Sequence, residues 1–266
     1  MVAIAILGVG KLGEALLSGL LRAGRQPGSL LAAERHAERA TEIAQRYGVP
    51  TLDPVEAAGR AEVVLLVVKP QDMRALLVEI AGVLRPNTLV VSMAAGIPTS
   101  LVEELLPDGT RVVRVMTNTG VFVDEAMSAI SGGSHALPEH LELVEGLLGP
   151  VGKVVRVPES QLDAVTALSG SGPAYFFLMV EAMIDAGILL GLPRAVAAQL
   201  VVQTAVGSAK MLRDSGEHPV VLREAVTSPG GTTIAAIRVL EDRAVRSALL
   251  AAVEAAHVRS RELAGG

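Results

Sequence analysis

Over the first 157 residues, short and continuously apolar runs alternate with stretches in which apolar residues return every three or four positions. The runs at residues 2–7, 30–33, 63–68, 88–92, 112–115, 127–130 and 153–157 predict strands. Most are apolar throughout rather than at every second position, as expected of strands covered on both faces of a parallel sheet. The 3.6-residue pattern predicts helices over 11–23, 37–47, 73–84 and 138–148, the first two ended by Gly24 and Gly48. Such alternation predicts a parallel α/β domain.

Beyond Pro158 the strand pattern stops. Helices are predicted over 162–168, 173–190, 195–208 with an extension toward 213, 220–226, 233–241 and 243–263. This divides the chain into an α/β domain, residues 1–157, and an all-α domain, residues 158–266. The helix at 173–190 is apolar on nearly every side and needs cover on every face. A domain of roughly 100 residues is too small to wrap it completely, so a homodimer through the helical domain is predicted. Residues 174–192 have the length of a membrane span. Glu181 and Asp185 lie near the middle, however, and ionised carboxylates are costly in lipid, so a buried helix and no membrane are expected.

Half of the 266 residues are hydrophobic and 19% are charged, a balance that suits a globular protein with a large core. Aromatic residues make up only 2% and Trp is absent, so the core is built from Leu, Val, Ala, Ile and Met. The net charge of −5 is spread without a Lys/Arg stripe, which argues against a nucleic-acid partner. No cysteine is present, which excludes disulfides, zinc–thiolate sites and a cysteine nucleophile, and fits a cytoplasmic location. Residues 1–7 lack the basic start of a secretory signal.

Gly8-Val9-Gly10-Lys11-Leu12-Gly13 follows a predicted strand and opens a predicted helix. In that context the glycine spacing indicates a Rossmann-type dinucleotide cradle: Gly8 for the tight turn, Gly10 for close approach of a pyrophosphate, and Gly13 for helix–strand packing. The helix start then offers free N–H groups and a partial positive charge to the anion. After the second strand, Glu34 favours NAD(H) while Arg35 suits the 2′-phosphate of NADP(H). Arg35 is equally well read as a solvated residue at a helix start. The expectation is NADP(H), with NAD(H) also accepted. Lys69-Pro70-Gln71 and Ser92-Met93-Ala94-Ala95-Gly96 end the third and fourth strands at the edge where open α/β sheets bind ligands.

A second glycine turn, Ser228-Pro229-Gly230-Gly231-Thr232-Thr233, lies in the helical domain at a helix start and predicts a carboxylate site. A Thr cap behind a flexible turn would give the same composition. Ser169-Gly170-Ser171-Gly172-Pro173 repeats the theme before the apolar helix. No His, Lys and Asp set suited to alcohol or hydroxy-acid chemistry is found, and no spacing suggests a metal. Reduction of an imine fits, because its nitrogen is basic enough to arrive protonated. The competing readings are a reductase of the 3-hydroxyacid-dehydrogenase type and a non-catalytic NADPH-binding protein. The former needs a catalytic Lys in the helical domain, where Lys210 is the sole candidate.

Six stretches, in order along nearly the whole chain, resemble the pyrroline-5-carboxylate reductases: ILGVGKLGEA at 6–15, VKPQ at 68–71, SMAAG at 92–96, RVMTNT at 114–119, AVTALSGSGPAY at 164–175 and VTSPGGTTI at 226–234. The resemblance implies hydride transfer from NAD(P)H to 1-pyrroline-5-carboxylate, giving L-proline. It implies that Gly231, Thr232 and Thr233 receive the substrate carboxylate, with Ser228 and Gly230 in the same turn, and that the Thr233 hydroxyl bonds the ring nitrogen. For the cofactor it implies Leu7, Gly8, Val9, Gly10, Lys11, Leu12, Gly13, Arg35, Val68, Lys69, Pro70, Met93, Ala94, Ala95 and Glu159. It also implies interlocked dimers that assemble into decamers. Two departures stand out. Thr117 and Gly120 occupy positions where the family usually has proline, which predicts a looser loop beneath the nicotinamide, and Leu52-Asp53-Pro54 offers no residue for a cofactor contact common in the family.

Overall fold

The computed structural model describes residues 2–264. Among these, seven strands form one sheet, interleaved with helices: β1 (Ile4–Leu7), α1 (Lys11–Arg22), β2 (Leu30–Ala33), α2 (Ala37–Tyr47), α3 (Pro54–Arg60), β3 (Val63–Leu66), α4 (Pro70–Ile80), β4 (Leu89–Ser92), α5 (Thr99–Leu105), β5 (Arg111–Met116), β6 (Ala126–Gly132), α6 (Pro138–Leu148) and β7 (Gly152–Arg156). The sheet order is β2-β1-β3-β4-β5-β6-β7. Strands β1 to β5 are parallel, and the register sets Ala33, Leu7, Leu66 and Ser92 level at the carboxyl edge.

Successive residues of each strand face opposite layers. Ile4 and Ile6 join a core with Leu16, Leu17 and Leu20 of α1 and Val144 and Leu147 of α6. Ala5 and Leu7 join a second core with Ala57 of α3, Leu76 and Leu77 of α4, and Val102 of α5. This double cover explains why the strands read as unbroken apolar runs.

Three local expectations are corrected. Strand β6 runs antiparallel to β5, and β7 follows β6. Residues 117–125 hold only one short 3₁₀ turn, too little chain for the crossover that a parallel neighbour requires. Helices α3 and α5 were not expected; each has seven residues, too short to show a helical period. The helix predicted over 162–168 ends early: α7 (Leu162–Val165) passes into a π turn, Thr166–Gly170, where the Ser171 N–H donates to the Thr166 carbonyl at 2.8 Å.

The described residues divide into two compact units, the first comprising 2–171 and 256–264 and the second 172–255. The first unit extends past the 157/158 junction and includes the wholly buried Leu162 and Ala167. The remaining helices are α8 (Gly172–Leu189), α9 (Arg194–Ser215), α10 (Pro219–Ala225), α11 (Thr232–Asp242) and α12 (Val245–Ala264). In the second unit α8 packs along α9, yet Phe176, Phe177, Leu178 and Leu189 stay exposed. The cover expected on every face of α8 is therefore not supplied within one chain. Among the described residues, the stretches Glu159–Leu189 and Arg194–Ser215 are long and apolar enough to cross a membrane.

Candidate active site

The three glycines of the first turn meet three different physical demands. Gly8 has φ +97°, a conformation that L side chains rarely adopt, and a Cβ there would lie 2.7 Å from the Val67 carbonyl oxygen. A Cβ on Gly13 would lie 2.1 Å from the Gly8 carbonyl oxygen, so only glycine lets α1 close onto the turn. Around Gly10 nothing lies within 4 Å of the corresponding position, so the backbone there is open to a ligand. Gly10 is also the N-cap of α1 and supplies no side-chain cap bond. The first-turn N–H groups, which side chains satisfy at many helix starts, are left for an anion.

This donor set fits a pyrophosphate, and a cleft of about 490 Å³ continues from it along the carboxyl edge. Leu7, Gly8 and Gly10 line it with Glu34, Arg35 and His36 after β2 and Val68 and Lys69 after β3. Val9, Lys11, Leu12 and Gly13 complete the turn and the first turn of α1. Pro70 opens α4 with Lys69 as its N-cap. Met93 and Ala94 are buried just past β4, and Ala95 is exposed. Strand ends thus bring most of the expected cofactor residues to one edge.

At the ribose end, the Glu34 carboxylate accepts from the His36 backbone N–H at 3.1 Å, which holds it at the tip of β2. Arg35 is half-exposed and lies 3.7 Å from Asp72, a surface pair that leaves the guanidinium movable. Arg39 donates its Nε–H to the Val9 carbonyl at 3.4 Å and pairs with Glu14 in the first turn of α1. Glu14 also accepts from Arg46 at 2.9 Å and from the Tyr47 hydroxyl at 2.8 Å. Burial pushes the Glu14 carboxyl up, but these hydrogen bonds and the arginine charges outweigh it and hold its pKa below the usual carboxylate range. An anionic residue beside an anion site is thereby neutralised by α2.

Glu159 lies at the correct edge of the sheet, but its oxygens are engaged. They accept from the Thr99 N–H at 2.8 Å, the Thr99 hydroxyl at 2.6 Å and Arg114 at 3.0 Å. Arg114 stands level with Ser92, the last residue of β4. Pro98, the N-cap of α5, makes no side-chain cap bond, and Glu159 closes that helix start instead. Burial alone would raise the Glu159 pKa; Thr99 and Arg114 bring it below the ordinary value.

The loop after β5 holds hydrogen bonds around Thr117 and Gly120. Asn118 Oδ1 accepts from the Gly120 N–H at 3.1 Å and the Met127 N–H at 3.3 Å, and Ser128 Oγ donates to Thr117 Oγ1 at 2.9 Å. A proline at 120 would lack the N–H that Asn118 receives. The long-range bonds of Arg114 to Glu159 and of Asn118 Nδ2 to the Ser169 carbonyl were not visible in the sequence, because those partners lie 45 and 51 positions away. Asp53 was passed over as well; it caps α3 by accepting from the Val55 N–H at 2.9 Å, a role that the Asp-Pro pair signals.

In the second unit the turn before α11 repeats the logic of the first. Gly231 is the N-cap, with φ −79° and ψ −179°, and supplies no side-chain cap bond. Thr232 and Thr233 lie inside the first turn of the helix, so neither is the cap. As at α1, the first-turn N–H groups receive no bond from the cap residue's side chain, an arrangement that suits an anion. A Cβ on Gly231 would lie 2.7 Å from Ser228 Oγ, which ties Ser228 into the turn, while Gly230 adopts φ +68°. Thr233 is half-buried, and Ser228 and Gly230 are exposed. Lys210 is exposed late in α9. His140 and His218 accept backbone N–H groups at helix starts through Nδ1, which is a capping role. Among the described residues no three His, Asp or Glu side chains converge as a metal site.

Comparison with known proteins agrees with this geometry. Residues 159–263 match the family model "Pyrroline-5-carboxylate reductase dimerisation", and residues 3–96 match "NADP oxidoreductase coenzyme F420-dependent". The pyrroline-5-carboxylate reductase of Corynebacterium melassecola is 47% identical over 267 residues, 99% of each chain. A solved pyrroline-5-carboxylate reductase from Coxiella burnetii superposes with a TM-score of 0.94 at 35% identity, covering 98% of both chains. A Plasmodium falciparum pyrroline carboxylate reductase with NADP bound superposes with a TM-score of 0.88 at 27% identity, covering 99% of this chain and 98% of that one.

Proposed function

This chain belongs to the pyrroline-5-carboxylate reductase family, and we propose on that premise that it reduces the C=N bond of 1-pyrroline-5-carboxylate to L-proline, the last step of proline biosynthesis. The observation that carries the reading is the pair of glycine-capped, side-chain-free helix starts at Gly10 and Gly231. One suits a pyrophosphate and the other a carboxylate.

Bound NADPH or NADH supplies the hydride that reaches the imine carbon. The protein contributes position and charge. The N–H groups of Gly231, Thr232 and Thr233 hold the substrate carboxylate, and the Thr233 hydroxyl hydrogen-bonds the ring nitrogen. The imine arrives protonated; as hydride adds to carbon, the C=N electron pair collapses onto nitrogen and a neutral secondary amine results. No side chain needs to supply a proton, which accounts for a site without a His or Lys acid. Arg35 receives the 2′-phosphate of NADPH, while Glu34 at the β2 tip accommodates the free ribose of NADH.

We assign residues 1–157 to the nucleotide and residues 158–266 to substrate and dimerisation. The chain forms homo-oligomers through its dimerisation region. Dimers that pack α8 and α9 against a second copy, assembled into decamers in the cytoplasm, are the form we propose. Apolar patches this extensive mark an interface.

The test is a paired assay. Purified protein should oxidise NADPH, and NADH more slowly, only when pyrroline-5-carboxylate is added. Turnover of a 3-hydroxy acid with none on the imine would replace this reading with the hydroxyacid one.

A further inference from the structure

Among the described residues, three buried side-chain N or O atoms lack a hydrogen-bond partner: Ser92 Oγ, Ser169 Oγ and His257 Nδ1. Such groups are rare in native proteins, and each calls for a physical reason. Ser92 is wholly enclosed at the end of β4 and has no route to a ligand. Ser169 differs, because its residue is only half-buried although its hydroxyl is covered.

The backbone around Ser169 is placed with care. It lies in the π turn Thr166–Gly170, a departure from α geometry that recurs at functional sites. The Ser169 carbonyl accepts from Asn118 Nδ2 at 3.2 Å. A Cβ on Gly170 would lie 2.5 Å from the Met116 methyl carbon, so glycine lets the turn sit directly on the end of β5. These contacts set Ser169 at the carboxyl end of β5, beside β4 in the sheet. With the pyrophosphate at β1 and the adenosine at β2, an extended dinucleotide carries its other half toward β4 and β5. The nicotinamide end of the ligand and the unpaired hydroxyl therefore belong to the same stretch of the sheet edge.

We propose that Ser169 is a cofactor-binding residue whose hydroxyl hydrogen-bonds the carboxamide of the nicotinamide ring. The bond gives the ring one orientation and so presents one face of its reactive carbon. The assignment rests on the reading of this chain as an NAD(P)H-dependent reductase.

Calorimetric titration of wild type and Ser169→Ala with NADP⁺ and with 2′-phospho-ADP-ribose, which has no nicotinamide ring, tests it. Ser169→Ala should weaken NADP⁺ by about three- to tenfold, the loss of one hydrogen bond, and leave 2′-phospho-ADP-ribose unchanged. The ligand-free melting temperature should not fall, because the hydroxyl has no partner inside the protein. Unchanged NADP⁺ affinity, or equal weakening of both ligands, overturns the proposal. A wild type that binds neither ligand overturns the reductase reading itself and the proposal with it.

Discussion

Glu159 closes the start of α5 by accepting from both the backbone N–H and the hydroxyl of Thr99, sixty positions earlier in the chain. The same carboxylate neutralises Arg114, whose side chain is 9% exposed. Position 98 is proline, and a residue from beyond β7 supplies what a local cap would otherwise give. Glu159 thereby fastens β5, α5 and the segment leading to the π turn into one piece.

Replacing Glu159 with Gln should destabilise the protein by roughly 1–3 kcal/mol, since Arg114 loses its counter-charge. Its pKa is lowered in the folded state, so its contribution is complete above the unfolded carboxylate pKa and is lost as pH falls through the folded one. Urea unfolding should show a constant gap between wild type and variant above about pH 5 that narrows below about pH 4.5. A gap independent of pH would remove the charge from the explanation.

Two glycine substitutions in one turn should fail in different ways. Gly10→Ala meets open space and should fold normally, but its methyl group stands where the pyrophosphate approaches, so the KM for NADPH should rise by roughly tenfold or more. Gly13→Ala would drive a carbon into the Gly8 carbonyl and should lower thermal stability even without ligand. Equal melting curves for the two variants would contradict this division of labour.

Removing the Thr233 hydroxyl as Thr233→Ala should lower kcat by roughly tenfold or more while the melting temperature holds. The backbone N–H groups remain, so the KM for substrate should change less than kcat. An unchanged kcat would take Thr233 out of the reaction and leave only its N–H.

Phe177 on α8 is exposed in the single chain. Phe177→Glu should convert the assembly to monomers, read by light scattering after gel filtration, because an unpaired carboxylate buried in an apolar interface costs several kcal/mol. A variant that keeps the wild-type mass would move the interface away from α8.

The strands and the first glycine turn were legible because both depend on residues adjacent in sequence. Residues 63–66 must be apolar to lie between two helical layers, and Gly8 and Gly13 must lack side chains in any chain that makes this turn. The direction of β6 was not legible, since it follows from what residues 117–125 cannot span. The engagement of Glu159 and the hydrogen bond from Ser128 to Thr117 were hidden as well. Arg114, Thr99 and Ser128 become neighbours of these residues only when the sheet forms. At the substrate turn the composition left two readings of Thr232 and Thr233. Gly231, not a threonine, is the cap, so neither Thr232 nor Thr233 has a capping role.

The glycine caps of α1 and α11 offer no side-chain bond to the backbone donors at either helix start. A chain made this way keeps part of its durability outside itself, in the metabolites it handles. With cofactor at a hundred times its dissociation constant the folded state gains about 2.7 kcal/mol, enough to lower the unfolded population roughly a hundredfold. At such a concentration, bound cofactor would also lengthen the time each copy resists proteolysis.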